Sequence, residues 1–392
     1  MNESTFSPGG GQPGTAARGQ EPAGFEAVGS VAVRTFAAHQ GHQQPGVTQP
    51  AHQSMDGHHV NAMAGDGRGT PRNQFADYDE LPDGHFYDPD AEYEPDPEYA
   101  ATLAPDAARQ RRERVGPTGR PLPYFPIPGP LTSHGPATIV AMCNQKGGVG
   151  KTTSTINLGA ALAEYGRRVL LVDFDPQGAL SVGLGVNPME LDLTVYNLLM
   201  ERGMSADEVL LKTAVPNMDL LPSNIDLSAA EVQLVSEVAR ESTLQRALKP
   251  LMADYDYIVI DCQPSLGLLT VNALTAAHKV IVPLECEFFA LRGVALLTET
   301  IEKVQERLNP ELELDGILAT MYDSRTVHSR EVLARVVEAF DEHVYHTVIG
   351  RTVRFPETTV AGEPITTYAS NSVGAAAYRQ LAREVLARCH AE

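Results

Sequence analysis

Asn144-Gln145-Lys146-Gly147-Gly148-Val149-Gly150-Lys151-Thr152-Thr153 follows directly on an apolar run at residues 138–142 and leads into a helical pattern. Strand, glycine-rich loop and helix in that order make a phosphate-binding loop. Glycines let the backbone close around a triphosphate with its N–H groups pointing inward, Lys151 reaches the β- and γ-phosphates, and the Thr152 hydroxyl is a ligand for Mg²⁺. The loop departs from the ordinary pattern G-x-x-x-x-G-K-[ST], which would place glycine at Gln145. It carries instead a second lysine, Lys146, ahead of the glycine pair.

Two more segments extend the site. Residues 168–178 read R-V-L-L-V-D-F-D-P-Q-G, an apolar run ending in Asp173 and Asp175, as expected of a buried parallel strand that delivers side chains at its C-terminal edge. Asp175-Pro176 also suits an Asx turn or a helix N-cap. Residues 256–264 form another apolar run that ends in Asp261 and then Cys262-Gln263-Pro264. This resembles a Walker B strand, in which Asp261 holds Mg²⁺ directly or through water, so that the metal offsets charge developing during phosphoryl transfer.

The run K-G-G-V-G-K-T-T, together with D-x-D-P-Q-G, resembles the deviant loop of the ParA/MinD family of P-loop ATPases. The likeness runs from about Pro136 to the C-terminus and includes residues 318–325 and 351–357. It implies ATP and Mg²⁺ as ligands, with Lys146 crossing a dimer interface to the partner subunit's nucleotide. It also implies contacts from Gly147, Gly148, Val149, Gly150, Lys151, Thr152 and Thr153 to the phosphates, and Asp175 orienting or activating the attacking water with Asp173 near the metal shell. Met321, Asp323, Phe355 and Pro356, the last two in a Pro-containing loop, become the expected adenine contacts. In this chain residues 355–362 read F-P-E-T-T-V-A-G where chromosomal relatives often show S-E-A-P-S-x-G.

Composition divides the chain. Residues 1–136 are rich in Gly, Pro, Gln and His and carry 9 Lys and Arg against 17 Asp and Glu. They show no sustained helical or alternating period and are expected to be disordered, leaving 137–392 as the ATPase domain. Of the chain's net charge of −20, −12 falls on that second part, so any DNA contact has to be local. Residues 77–98 hold ten acids and no Lys or Arg, interleaved with Tyr78, Phe86, Tyr87 and Tyr93. They read either as a solvated spacer or as a docking segment, for a polar-tip or scaffold protein, or for the chain's own DNA-binding face. Prolines at 121, 123, 126, 128, 130 and 136 suggest an extended linker. Cys143, Cys262, Cys286 and Cys389 lack C-x-x-C spacing and read as reduced thiols. No apolar stretch reaches the ~20 residues that span a bilayer, and no signal peptide is apparent, so a cytoplasmic location without integral membrane association is expected.

Apolar β-rich runs recur at 218–221, 257–260, 280–284, 314–319 and 344–349, separated by amphipathic stretches. One, at 288–308, places Leu296, Thr300, Ile301, Val304 and Leu308 near one face. A terminal helix over 372–389 has Ala377, Leu381, Val385 and Cys389 at i+4 spacing, a core stripe. The expected fold is α/β, a mostly parallel twisted sheet with helices on both faces.

The resemblance therefore implies a chromosome-partitioning ATPase. ATP closes a homodimer that binds DNA non-specifically on the nucleoid, and a ParB-like partner triggers hydrolysis. Arg325, Arg351 and Arg354 are the candidate DNA contacts, although nearby acids nearly cancel the local charge. A MinD-like membrane ATPase would need a terminal helix with bulky apolar and basic residues, of which 382–392 has few. A plasmid-type protein with an N-terminal helix-turn-helix would need periodic apolar faces within 1–136. A nitrogenase-reductase-like carrier would need cluster-ligating cysteines, whereas Cys262 reads as a strand-end thiol.

Overall fold

A computed structural model describes residues 115–287 and 290–389. Expectations placed on 1–114, including the acidic segment at 77–98, lie outside the described residues.

Seven strands, β1 (Thr138–Met142), β2 (Val169–Phe174), β3 (Leu211–Lys212), β4 (Met218–Leu221), β5 (Tyr257–Cys262), β6 (Lys279–Glu285) and β7 (Glu313–Thr320), form one sheet in the order β3-β4-β2-β5-β1-β6-β7. Every pairing is parallel except that of the short edge strand β3 with β4. The central strands are covered on both sides, which is why they read as unbroken apolar runs rather than alternating ones. Ile139, Ala141, Leu170, Val172, Ile258 and Ile260 enter one core, and Val140, Met142, Val169, Leu171, Tyr257 and Val259 the other.

Helices α1 (Lys151–Glu164) and α7 (Val373–Cys389) fill the second core, whereas α3 (Leu268–Ala276), α4 (Ala290–Arg307) and α5 (Val327–Phe340) fill the first. Between them in sequence lie the short α2 (Ala179–Gly183) and the more exposed α6 (Arg354–Ala361). Helix α1 lies so close to the sheet that a Cβ on Gly159 would meet Leu171 Cδ2 at 2.7 Å. The terminal helix follows the expected stripe, with Leu381 and Val385 buried, and adds Ala375, Tyr378, Ala382 and Leu386 to the core.

Two expected elements differ. In α4 the buried row is Val294, Leu297, Ile301 and Val304, while Leu296 and Leu308 stay 42% and 39% exposed. The Thr300 hydroxyl is turned back to the Leu296 carbonyl, so the face toward the sheet is rotated by about one residue from the one expected. Residues 344–349 run beside β7 without becoming a strand. Tyr345 N and Ile349 N donate to Ile317 O and Ala319 O, but the next amides, His346 N and Thr347 N, are taken by the buried carboxylate of Glu384 on α7. A side chain there replaces the ladder.

The Pro-rich stretch is not a linker running clear of the domain. The Arg120 guanidinium donates to the carbonyls of Asp341 and Val344, Gly129 O accepts from Arg167, and His134 Nδ1 lies 2.8 Å from Asp256 Oδ2. The same carboxylate accepts Gly135 N and Arg168 N, joining the strap's end to the starts of β2 and β5. Half-buried Leu122, Phe125, Pro128 and Leu131 alternate with exposed Pro121, Tyr124, Ile127 and Pro130, the three-residue period of an extended polyproline-like chain lying on a surface. Among the described residues no helix is long and apolar enough to cross a membrane.

Candidate nucleotide-binding site

Strands β1, β5 and β2 end level with one another, for Met142 and Asp173 both pair with Asp261. This register brings the glycine-rich loop and all three carboxylates to the carboxyl edge of the sheet, where open α/β folds bind their ligands. Gly148 and Gly150 adopt φ of 75° and 83°, a left-handed geometry that side chains resist, and Gly150 caps α1. The start of α1 thus presents its unpaired N–H groups to the loop, an arrangement suited to phosphate. Lys151, only 7% exposed, folds its ammonium back to the Lys146 carbonyl at 3.1 Å. The Thr320 hydroxyl at the end of β7 donates to Val149 O at 2.8 Å, bracing the loop from the far side. Thr153 sits on the same first turn, its carbonyl accepting from Asn157.

The three acids have different tasks. Asp173 accepts Ser181 N and Ser181 Oγ at 2.8 and 2.7 Å, fastening α2 to the end of β2. Burial pushes its carboxyl up to about 7. Asp175 Oδ1 accepts Gln177 N at 3.0 Å, so the Asx turn is present at the position assigned to the attacking water. Asp261 takes the Thr152 hydroxyl on Oδ2 at 2.6 Å, while its Oδ1 is buried and has no hydrogen-bond partner. Burial first, and Asp173 second, raise the Asp261 carboxyl to about 8. A buried, unpaired carboxylate oxygen beside a threonine hydroxyl and two further acids fits a small divalent cation. Among the described residues no group of three or more His, Cys, Asp or Glu is placed to hold a metal ion.

Lys146 is held on its own chain. Its Nζ lies 2.6 Å from Glu287 Oε2 and 3.0 Å from Glu285 Oε2, and Arg351 Nη2 lies 3.5 Å from the other Glu285 oxygen. Burial opposes the charge on Lys146, but the bonds from Glu287 and Glu285 outweigh it and hold the ammonium above its ordinary value. The backbone is tied to the same strand end: Asn144 Nδ2 donates to Pro283 O, and Asn144 Oδ1 accepts Lys146 N. Sequence reasoning overlooked Glu285 and Glu287. Their signal was available, because residues 280–287 are a third apolar strand ending in acids, like those ending at Asp173 and Asp261.

The expected base contacts come from two segments, the end of β7 and the start of α6. Met321, with φ of 50°, and Asp323 flank Tyr322, which bridges to Gly350. Both oxygens of Asp323 are taken by Arg325, which holds its carboxyl below the usual range. Phe355 and Pro356 lie in the first turn of α6, not in a loop, and the Phe355 ring packs edge-on to Tyr378 of α7 at 5.8 Å. All three candidate DNA-binding arginines are exposed yet paired: Arg325 with Asp323, Arg351 with Glu285, and Arg354 with Glu357 at 3.1 Å.

Residues 137–314 match a family described as an AAA domain. An uncharacterized protein of Mycobacterium tuberculosis is 68% identical over 274 residues, 70% of this chain and 86% of its own length. The sporulation initiation inhibitor protein Soj of Bacillus subtilis is 47% identical over 249 residues, 64% of this chain and 98% of Soj. The chain belongs to the ParA/Soj family of P-loop ATPases. A solved Mycobacterium smegmatis structure, described as cobyrinic acid a,c-diamide synthase with bound ATP analog and magnesium, superposes with a TM-score of 0.57 at 46% identity, covering 64% of this chain and 94% of that one.

Proposed function

We propose that the chain is an ATP-hydrolysing chromosome-partitioning protein of the cytoplasm. In this reading Mg-ATP closes a homodimer, the dimer binds nucleoid DNA without regard to sequence, and a ParB-like partner releases it by stimulating hydrolysis. The observation that carries the reading is the pairing of Thr152 with Asp261 under the loop, with one Asp261 oxygen buried and unpaired. Thr152 and Asp261 would hold Mg²⁺, which when bound supplies positive charge opposite the phosphates. The chain's own groups do the rest. The loop amides and Lys151 bind and orient the triphosphate, Lys146 contributes charge across the dimer, and Asp175 positions the attacking water. The domain of this activity is read as residues 137–392, with 115–136 strapped onto it and the remaining N-terminal residues as a partner-binding tail.

The membrane-associated alternative is disfavoured by α7, whose apolar face is already buried against α1 and the sheet. Ser154 of α1 and Tyr378 of α7 even share a hydrogen bond at 3.1 Å. The decisive measurement is retention on non-specific DNA with ATP, with ADP and without nucleotide. Retention in ATP alone, reversed by a ParB-like partner, is expected. Retention independent of nucleotide, binding to anionic vesicles instead, or ATP-dependent amidation of cobyrinic acid would each overturn the reading.

A further inference from the structure

The partition reading requires Lys146 to leave its own subunit and serve the nucleotide of a second copy. Instead its ammonium is gripped in cis by two carboxylates, both supplied by the segment that ends β6. The grip is built rather than incidental. Glu285 is the last residue of β6, with its side chain 14% exposed, and Asn144 binds the P-loop backbone to Pro283 two residues earlier. The lysine's main chain and side chain are therefore referred to the same strand end. Glu287, 54% exposed, closes the other side at 2.6 Å.

We propose that Glu285 and Glu287 are positioning residues that hold Lys146 on its own subunit and so set the ATP concentration at which the dimer closes. The proposal rests on the trans role of Lys146 in the partition reading. A competent conformation populated only in part lowers apparent affinity by its fraction, and each cis ion pair reduces the fraction of molecules whose lysine is free. Release is feasible because Arg351 already stands at the Glu285 oxygen that Lys146 does not use. When Lys146 departs, that carboxylate keeps a cation beside it. The same exchange places Arg351, a candidate DNA contact, under the control of nucleotide-driven dimerisation.

Sedimentation velocity of the full-length chain across a titration with Mg²⁺ and ATPγS tests this. Glu287→Gln is expected to lower the midpoint of dimerisation about two- to five-fold, the range set by an exposed ion pair, and Glu285→Gln combined with it to lower it further. Glu287→Asp, which restores the charge, should return the midpoint toward wild type, and ADP affinity, which needs no dimer, should not change. An unchanged or raised midpoint in Glu287→Gln overturns the proposal. Because Glu287 is exposed, that variant carries the test even if Glu285→Gln fails to fold. Lys146→Ala in the same titration separates the two ideas: wild-type dimerisation there would end the trans role itself, whatever the glutamate variants do.

Discussion

Asp261 is where folding and function oppose each other most directly. A carboxyl raised to about 8 keeps in the folded state a proton that the unfolded chain releases near pH 4. Stability therefore falls as pH rises from about 4 to about 8, and a metal or a neutral side chain removes that loss. Asp261→Asn, measured by thermal unfolding in EDTA, should be more stable than wild type at pH 8, by on the order of 1–3 kcal/mol, with a smaller gain at pH 5. The same variant should lose magnesium-dependent nucleotide binding. The two lysines separate by another measurement. Lys151→Ala should abolish ATP binding, whereas Lys146→Ala should bind nucleotide and remain a monomer by size-exclusion chromatography. Asp175→Ala should still dimerise and bind DNA while hydrolysing ATP at least tenfold more slowly. A wild-type rate would leave Asp175 only its turn, in which Oδ1 accepts Gln177 N.

At the scale of elements, α6 and the segment before it decide where DNA could bind. Arg351 and Arg354 are 65% and 53% exposed, and each lies within 4 Å of a carboxylate, Glu285 and Glu357 respectively. Exposed pairs of this kind are worth little and can be exchanged for phosphate. Arg351→Glu or Arg354→Glu should weaken ATP-dependent DNA binding, and Arg354→Glu, whose partner Glu357 lies on its own helix, should leave dimerisation intact. Each should reduce the slope of log affinity against log salt by about 1. Unchanged affinity at low salt in both variants would move the face elsewhere. The element scale is also where sequence reasoning fell short. An amphipathic row in α4 and a β-rich run at 344–349 were both legible as apolar patterns. The one-residue rotation of the helix is set by how it packs on the sheet, and the Glu384 carboxylate that displaced a strand ladder lies more than 35 residues from the amides it takes.

Across the whole molecule, the strap at 115–136 ties the start of the described chain to the segment beside the edge strand β7 and to the starts of the central strands β2 and β5. Its contacts include Arg120 with Asp341 and Val344 and His134 with Asp256. Removing residues 1–114 should leave the melting temperature within about 1 °C, whereas removing 1–136 should lower it by roughly 5–10 °C, as expected for a loss of a few kcal/mol from a domain of this size. Equal melting temperatures for the two truncations would show that the strap adds nothing to the fold.

The phosphate-binding loop, the two acid-ended strands beside it and the alternation of strand and helix were readable in the sequence because each is a local pattern. Glycines at 147, 148 and 150 announce a loop conformation, and unbroken apolar runs announce strands covered on both faces. That Asp173 fastens α2 while Asp261 keeps an unpaired oxygen was not readable, since both are acids at strand ends in the same register. Nor was the capture of Lys146 by Glu285 and Glu287, separated from it by 139 and 141 positions. Hydrogen-bond partners and desolvation are properties of the packed sheet edge, where strands distant in sequence end side by side, and only the tertiary structure places them.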